Sequence, residues 1–104
     1  MKIEVLYVPN CPNHAVALER LREILAGESL EAHLKEVLVS SAAMAHSLKF
    51  PGSPTIRING RDIEPQEGQI TSFGLMCRLY GDGNGAPSHQ RLRDAIRRAR
   101  ELED

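Results

Sequence analysis

Tryptophan is absent, and the chain has only two tyrosines and two phenylalanines. Aromatics this sparse offer no stacking platform for single-stranded nucleic acid. Neither sign of charge dominates: 13 Lys+Arg against 14 Asp+Glu leave a formal net charge of −1. A general nucleic-acid binder would carry a basic excess, so nucleic acid is not an expected partner. No stretch approaches the roughly 18 apolar residues of a membrane helix, so a membrane is not expected either. Two cysteines, Cys11 and Cys77, are too few for a disulfide-stapled scaffold. No N-x-S/T sequon occurs. The apolar run at the N-terminus is cut short by Pro9-Asn10-Cys11-Pro12, which a signal peptide would not tolerate. These absences lead us to expect a cytoplasmic protein. There thiols are held reduced, so the cysteines suggest chemistry or core packing before a structural bridge.

What is present suffices for one globular domain over residues 1–104. Apolar residues make up 41% and charged residues 26%, which separates the chain from disordered polymers. A chain of 104 residues buries roughly two-thirds of the surface its unfolded form exposes. Residues 2–8 are rich in β-branched and aromatic side chains and read as a largely buried strand. From Pro12 to about Ala26, Val16, Leu18, Leu21, Ile24 and Leu25 recur at the period of an amphipathic helix. Pro12 suits its first position and Gly27 the C′ stop. Residues 32–39 read as a second strand, and Ser40 or Ser41 as the cap of a short helix through Leu48. Residues 55–58 and 61–64 alternate around Asn59-Gly60, a strong hairpin signal. Pro65 to Ser72 reads as polar and irregular. Leu75, Cys77 and Leu79 alternate with Met76, Arg78 and Tyr80, which suggests a short extra strand. Gly81, Gly83 and Gly85 belong to a loop; a phosphate cradle would follow the first strand instead, so no cofactor is expected. Ser88 then caps a last helix with Leu92, Ala95, Ile96, Ala99 and Leu102 on its apolar face. Its arginines are largely offset by acids and read as a solvated face.

The resulting string is β-α-β-α-β-β-α. The first two strands, joined through a helix, should be parallel with a right-handed crossover. The hairpin adds two antiparallel strands, giving an α/β fold with a mixed four-stranded sheet between helices.

That order resembles the thioredoxin-like superfamily over residues 2–64 and 88–103. Two markers carry the likeness: Val8-Pro9-Asn10-Cys11-Pro12-Asn13-His14 and Gly52-Ser53-Pro54-Thr55. The chain is also similar to small bacterial thioredoxin-like proteins of uncertain role. The resemblance implies a three-layer α/β/α sandwich, with Cys11 as nucleophile and Pro54 as a cis-proline facing it. It implies that Pro12, Ser53, Pro54 and Thr55 position an extended substrate. One departure is evident. The position of the usual second cysteine holds His14, giving C-x-x-H, so a two-cysteine mechanism inside this motif is excluded.

The thiolate is the nucleophile, and an ordinary thiol, with a pKa near about 8.5, is mostly protonated at neutral pH. Cys11 is placed just before a helix, where free N–H groups and the positive dipole end stabilise negative charge. A protonated His14 would add to this. The alternatives are an inert buried cysteine and a solvated histidine. Cys77 lies on the segment that returns toward the Cys11 end after the hairpin. It is a candidate resolving thiol, or else a small apolar residue on a strand face.

The expected function is thiol–disulfide exchange through Cys11, resolved by Cys77 or by an external thiol such as glutathione. The partners would be protein or small-molecule disulfides. The alternative is a non-catalytic module that binds a protein partner or a soft metal. Zinc, copper(I) or mercury would then be held by Cys11, His14 and Cys77, with His89 near the start of the last helix as a further candidate ligand.

Overall fold

The computed structural model describes residues 1–64 and 73–103. Seven elements follow in order: β1 (Lys2–Tyr7), α1 (Pro12–Gly27), β2 (His33–Leu38), α2 (Ala42–Ser47), β3 (Thr55–Ile58), β4 (Arg61–Asp62) and α3 (His89–Glu103). They form an α/β fold with one mixed four-stranded sheet in the order β2-β1-β3-β4. β1 pairs in parallel with β2 and antiparallel with β3, and β3 pairs antiparallel with β4.

The two-residue period of β1 divides the core. Ile3 and Val5 face one side of the sheet with their partners Ile58 and Ile56. They pack against Leu18, Leu21, Ile24 and Leu25 of α1 and Leu92 and Ile96 of α3. Leu6 points the other way and meets Val39, Ala45 and Phe50, so α2 covers the second face. Burial on both faces explains why β1 reads as a near-continuous apolar run.

The expected elements form, with shifted ends. Ser41 caps α2, accepting from the Met44 N–H at 3.1 Å. Asn59 and Gly60, at φ 51° and 84°, make the turn between β3 and β4, two left-handed residues in succession as a tight hairpin demands. Ser88 accepts from the Arg91 N–H at 3.1 Å at the start of α3. The stop of α1 differs from expectation. Gly27 is the last helical residue, and the left-handed residue is Ser29 at φ 50°. Leu30 N–H donates to Leu25 O and Ser29 N–H to Ala26 O, the two bonds of a Schellman ending. α2 ends the same way: Phe50 N–H reaches Ala45 O, Lys49 N–H reaches His46 O, and Lys49 has φ 51°. In each case a buried or half-buried residue, Leu30 or Phe50, follows the left-handed position. Apolar anchoring there outweighs the usual preference for glycine.

β4 is shorter than its alternating pattern suggested: it spans Arg61–Asp62, with one further backbone bond from the Ile63 N–H to Ile56 O at 3.0 Å. The expected strand over 75–79 is replaced by one isolated parallel bridge between Ser53 and Cys77. The alternation is also inverted. Arg78 and Tyr80 are buried, whereas Leu75, Cys77 and Leu79 are exposed. Leu102, expected on the inner face of α3, is exposed as well. The segment Pro65–Ser72 lies outside the described residues.

Gly27 sits in the last turn of α1 at an ordinary negative φ, and a Cβ there would meet nothing within 4 Å. Gly27→Ala should therefore raise stability by about 0.5–1 kcal/mol, through helix propensity and a less flexible unfolded chain. Urea denaturation reads the difference. A loss of stability would mean that Gly27 supplies the left-handed stop after all.

Candidate functional site

The C-terminal end of β1 gathers the residues singled out by the sequence. Asn10, at φ 60°, turns the chain from β1 toward α1, a conformation asparagine tolerates better than most residues. Cys11 is the N-cap of α1 with extended backbone, φ −79° and ψ 114°, and Pro12 occupies the first turn. The Cys11 side chain makes no capping hydrogen bond, and the first turn holds no acidic residue. The thiol is half-buried and free. A helix N-terminus exposes N–H groups that favour an anion beside them. Here no helix carboxylate competes for that place.

His14 is held by other elements. Its ring stacks on Tyr7, with centroids 3.6 Å apart and planes 4° from parallel. Its Nε2 lies 2.8 Å from Glu36 Oε1. A carboxylate only accepts, so Nε2 is the donor in this bond. Glu36 pairs with Val5, and Tyr7 lies two residues beyond Val5, so both face α1. Sequence reasoning missed these two partners. The strand period alone would have placed Tyr7 on that face, whereas Glu36 needs the register with β2.

Ser53, Pro54 and Thr55 enter β3 fully buried. The Ser53–Pro54 peptide bond is cis. Ser53 Oγ accepts from the Val8 N–H at 3.1 Å, which ties this turn to the end of β1. Thr55 Oγ1 donates to Gly52 O at 2.6 Å, and Tyr80 donates its hydroxyl to Pro54 O at 2.6 Å. The backbone groups of Ser53 are engaged as well. Its N–H donates to Met76 O at 2.8 Å, and its C=O accepts from the Arg78 N–H at 3.0 Å. Cys77, free and exposed, thus lies beside Ser53. Through Val8, Ser53 and this bridge, the backbone brings both cysteines to the same end of the sheet.

Arg78 fixes the Cys77 segment and was not foreseen. Its side chain is 2% exposed and forks onto Asp62, with contacts of 2.8 and 2.9 Å. It also donates to Thr55 Oγ1 at 3.2 Å, and its guanidinium carbon lies 4.4 Å from the centre of the Tyr80 ring. Burial alone would favour the neutral side chain, but the Asp62 hydrogen bonds and nearby negative groups hold its pKa above the ordinary value. Gly52 makes room for it: a Cβ there would lie 2.9 Å from Arg78 Cβ, and φ is +144°.

The other candidate ligands are dispersed. His89 bonds Glu23 at 2.8 Å, and His46 meets the edge of Phe73 at 6.0 Å. Among the described residues no group of three or more His, Cys, Asp and Glu side chains is placed to hold a metal ion. Cys11, His14 and Cys77 therefore do not converge as a ligand set. Among these residues, too, no helix is long and apolar enough to cross a membrane. Comparison with protein-family models, curated proteins and solved structures gave no match.

Tyr80 supplies a pH test of this region. Burial raises its pKa well above the ordinary 10.0, only partly offset by the nearby Arg78 charge. Below pH about 10 both folded and unfolded chains keep the phenol proton, so stability does not depend on it. Above that, the unfolded chain releases the proton while the folded one retains it, and stability falls as pH rises. Tyr80→Phe leaves Pro54 O without its partner and should cost about 1–3 kcal/mol at neutral pH. It should also flatten the alkaline decline. Urea midpoints from pH 7 to 11 check both, and an unchanged alkaline slope would refute the assignment.

Proposed function

We propose that this chain is a thioredoxin-like, cytoplasmic protein that exchanges thiols and disulfides through the Cys11 thiolate. The observation that carries the reading is the placement of two free cysteines toward one sheet end. One is a helix N-cap; the other is bridged to the residue that precedes the cis-proline. The element string and the mixed four-stranded sheet support it, being those expected with the resemblance.

In the reaction, the Cys11 thiolate attacks one sulfur of a disulfide. A Cys11–sulfur bond forms, the substrate S–S bond breaks, and the other sulfur leaves as a thiolate that takes a proton from water. The Cys77 thiolate then attacks Cys11 Sγ and expels the second substrate sulfur. The substrate gains two electrons, and the chain's two thiols become one disulfide. An external thiol of the glutathione class either replaces Cys77 in the second step or afterwards reduces the chain. His14, in the first turn of the helix that Cys11 caps, is the candidate for taking up the thiol proton. Pro12, Pro54 and Thr55 shape the approach to Cys11.

The chain treated with a slight excess of a small disulfide should lose both thiols, and peptide mapping by mass spectrometry should find Cys11 joined to Cys77. Cys11→Ser should abolish exchange, by at least about 100-fold, since a hydroxyl is not ionised at neutral pH. Cys77→Ser should leave a persistent mixed disulfide on Cys11. Exchange at Cys11 no faster than that of an unfolded cysteine peptide would defeat the redox reading. A lasting free thiol at Cys77 would assign the second step to an external thiol.

A further inference from the structure

We infer that residues 76–78 act as a built-in strap over Ser53, restricting the Cys11 site to compact, low-molecular-weight disulfides rather than extended polypeptides. The inference rests on the redox reading of Cys11. A foreign strand docking beside Ser53 needs its backbone N–H and C=O, the only main-chain groups that residue has. The N–H is engaged by Met76 O and the C=O by the Arg78 N–H. The strap is not loosely laid. Arg78 is buried and forked onto Asp62, bonds Thr55 Oγ1, and lies over Tyr80. Two residues beyond Leu79, the Gly81 N–H donates to Glu64 Oε2 at 2.9 Å, and Arg91 pairs with the same carboxylate at 2.8 Å. Gly52 lets the Arg78 backbone lie against it, since a Cβ on Gly52 would stand only 3.1 Å from Arg78 Cα. Lifting the strap would break its two bonds to Ser53 and strip a buried guanidinium of its carboxylate.

A compact disulfide needs none of this. It requires a path to a half-buried Cys11 sulfur, and the exposed Cys77 stands at the same sheet end to complete the exchange. The strap thus presents the second thiol and keeps the Ser53 backbone from other chains.

The test measures exchange rates with oxidised glutathione and with an unstructured ten-residue peptide carrying a cysteine–glutathione mixed disulfide. In wild type, oxidised glutathione should react faster by about 10- to 100-fold, because an extended peptide must displace the strap and its two bonds to Ser53 in order to dock. Arg78→Ala should raise the peptide rate selectively and close most of that gap. Asp62→Asn, which keeps the fork's shape but removes its charge, should do so in part if Arg78→Ala fails to fold. Equal wild-type rates, or a folded variant that leaves the ratio unchanged, would overturn the strap. Hydrogen exchange read by NMR adds a measure independent of redox chemistry. The Ser53 and Arg78 amides should be protected in wild type and lose protection in the variant. Unprotected amides in wild type overturn the inference even if Cys11 is reactive. Protected amides with an unreactive Cys11 would instead defeat the redox reading alone.

Discussion

The buried guanidinium of Arg78 is the group on which the organisation of this sheet end depends. It takes both oxygens of Asp62, the hydroxyl of Thr55 and the face of Tyr80. Buried ion pairs contribute little net stability compared with apolar packing, because both charges must leave water. Their strength is directional. A fork that fits one carboxylate at 2.8 and 2.9 Å permits one placement of the chain that bears it. Residues 76–78 thereby become a fixed part of the site, although they form no strand of their own. Breaking the pair by removing one partner costs far more than the pair contributes, so the segment is held mainly by the penalty for leaving.

β1 supplies the second constraint. It is the central strand that contacts both β2 and β3, and it presents alternate side chains to two separate apolar clusters. A strand packed on both faces cannot slip by one residue without exchanging its clusters. Its end at Tyr7 is therefore well determined, and so is the turn that delivers Cys11 to the N-terminus of α1. The Tyr7–His14 stack and the Val8–Ser53 bond brace that turn from both sides of the sheet end.

The element order, the parallel and antiparallel pairings and the hairpin were legible because each rests on local signals: period, caps and Asn-Gly. The positions of Cys11 and the Ser53-Pro54 turn followed from the same order. What escaped was set by tertiary contacts. Leu75, Cys77 and Leu79 form the more apolar set in their segment, yet they are exposed and Arg78 and Tyr80 turn inward. One well-partnered arginine and one tyrosine with a hydroxyl acceptor outweigh two leucines. Asp62 is the hidden signal, a carboxylate inside a hairpin strand that needs a cationic partner. Gly27 misled for a related reason. Glycine is favoured at a left-handed stop by local sterics, but Leu30 is anchored in the core, and its anchoring moved the stop to Ser29.

The two cysteines are unlike, and their difference gives the proposed exchange its direction. Cys11 is the N-cap of a 16-residue helix whose first turn holds no carboxylate. Cys77 lies on an extended segment, with no helix end beside it, and is exposed to water. A helix end favours an anion beside it, so in the proposed exchange Cys11 attacks first and Cys77 second. A mixed disulfide formed at Cys11 is then open to attack from Cys77, because the bond that breaks returns the electron pair to its partner sulfur while Cys11 stays bonded. The tie of His14 to Glu36 fits this order. It keeps the imidazole on the α1 face of the sheet, with Nε2 turned to the Glu36 carboxylate.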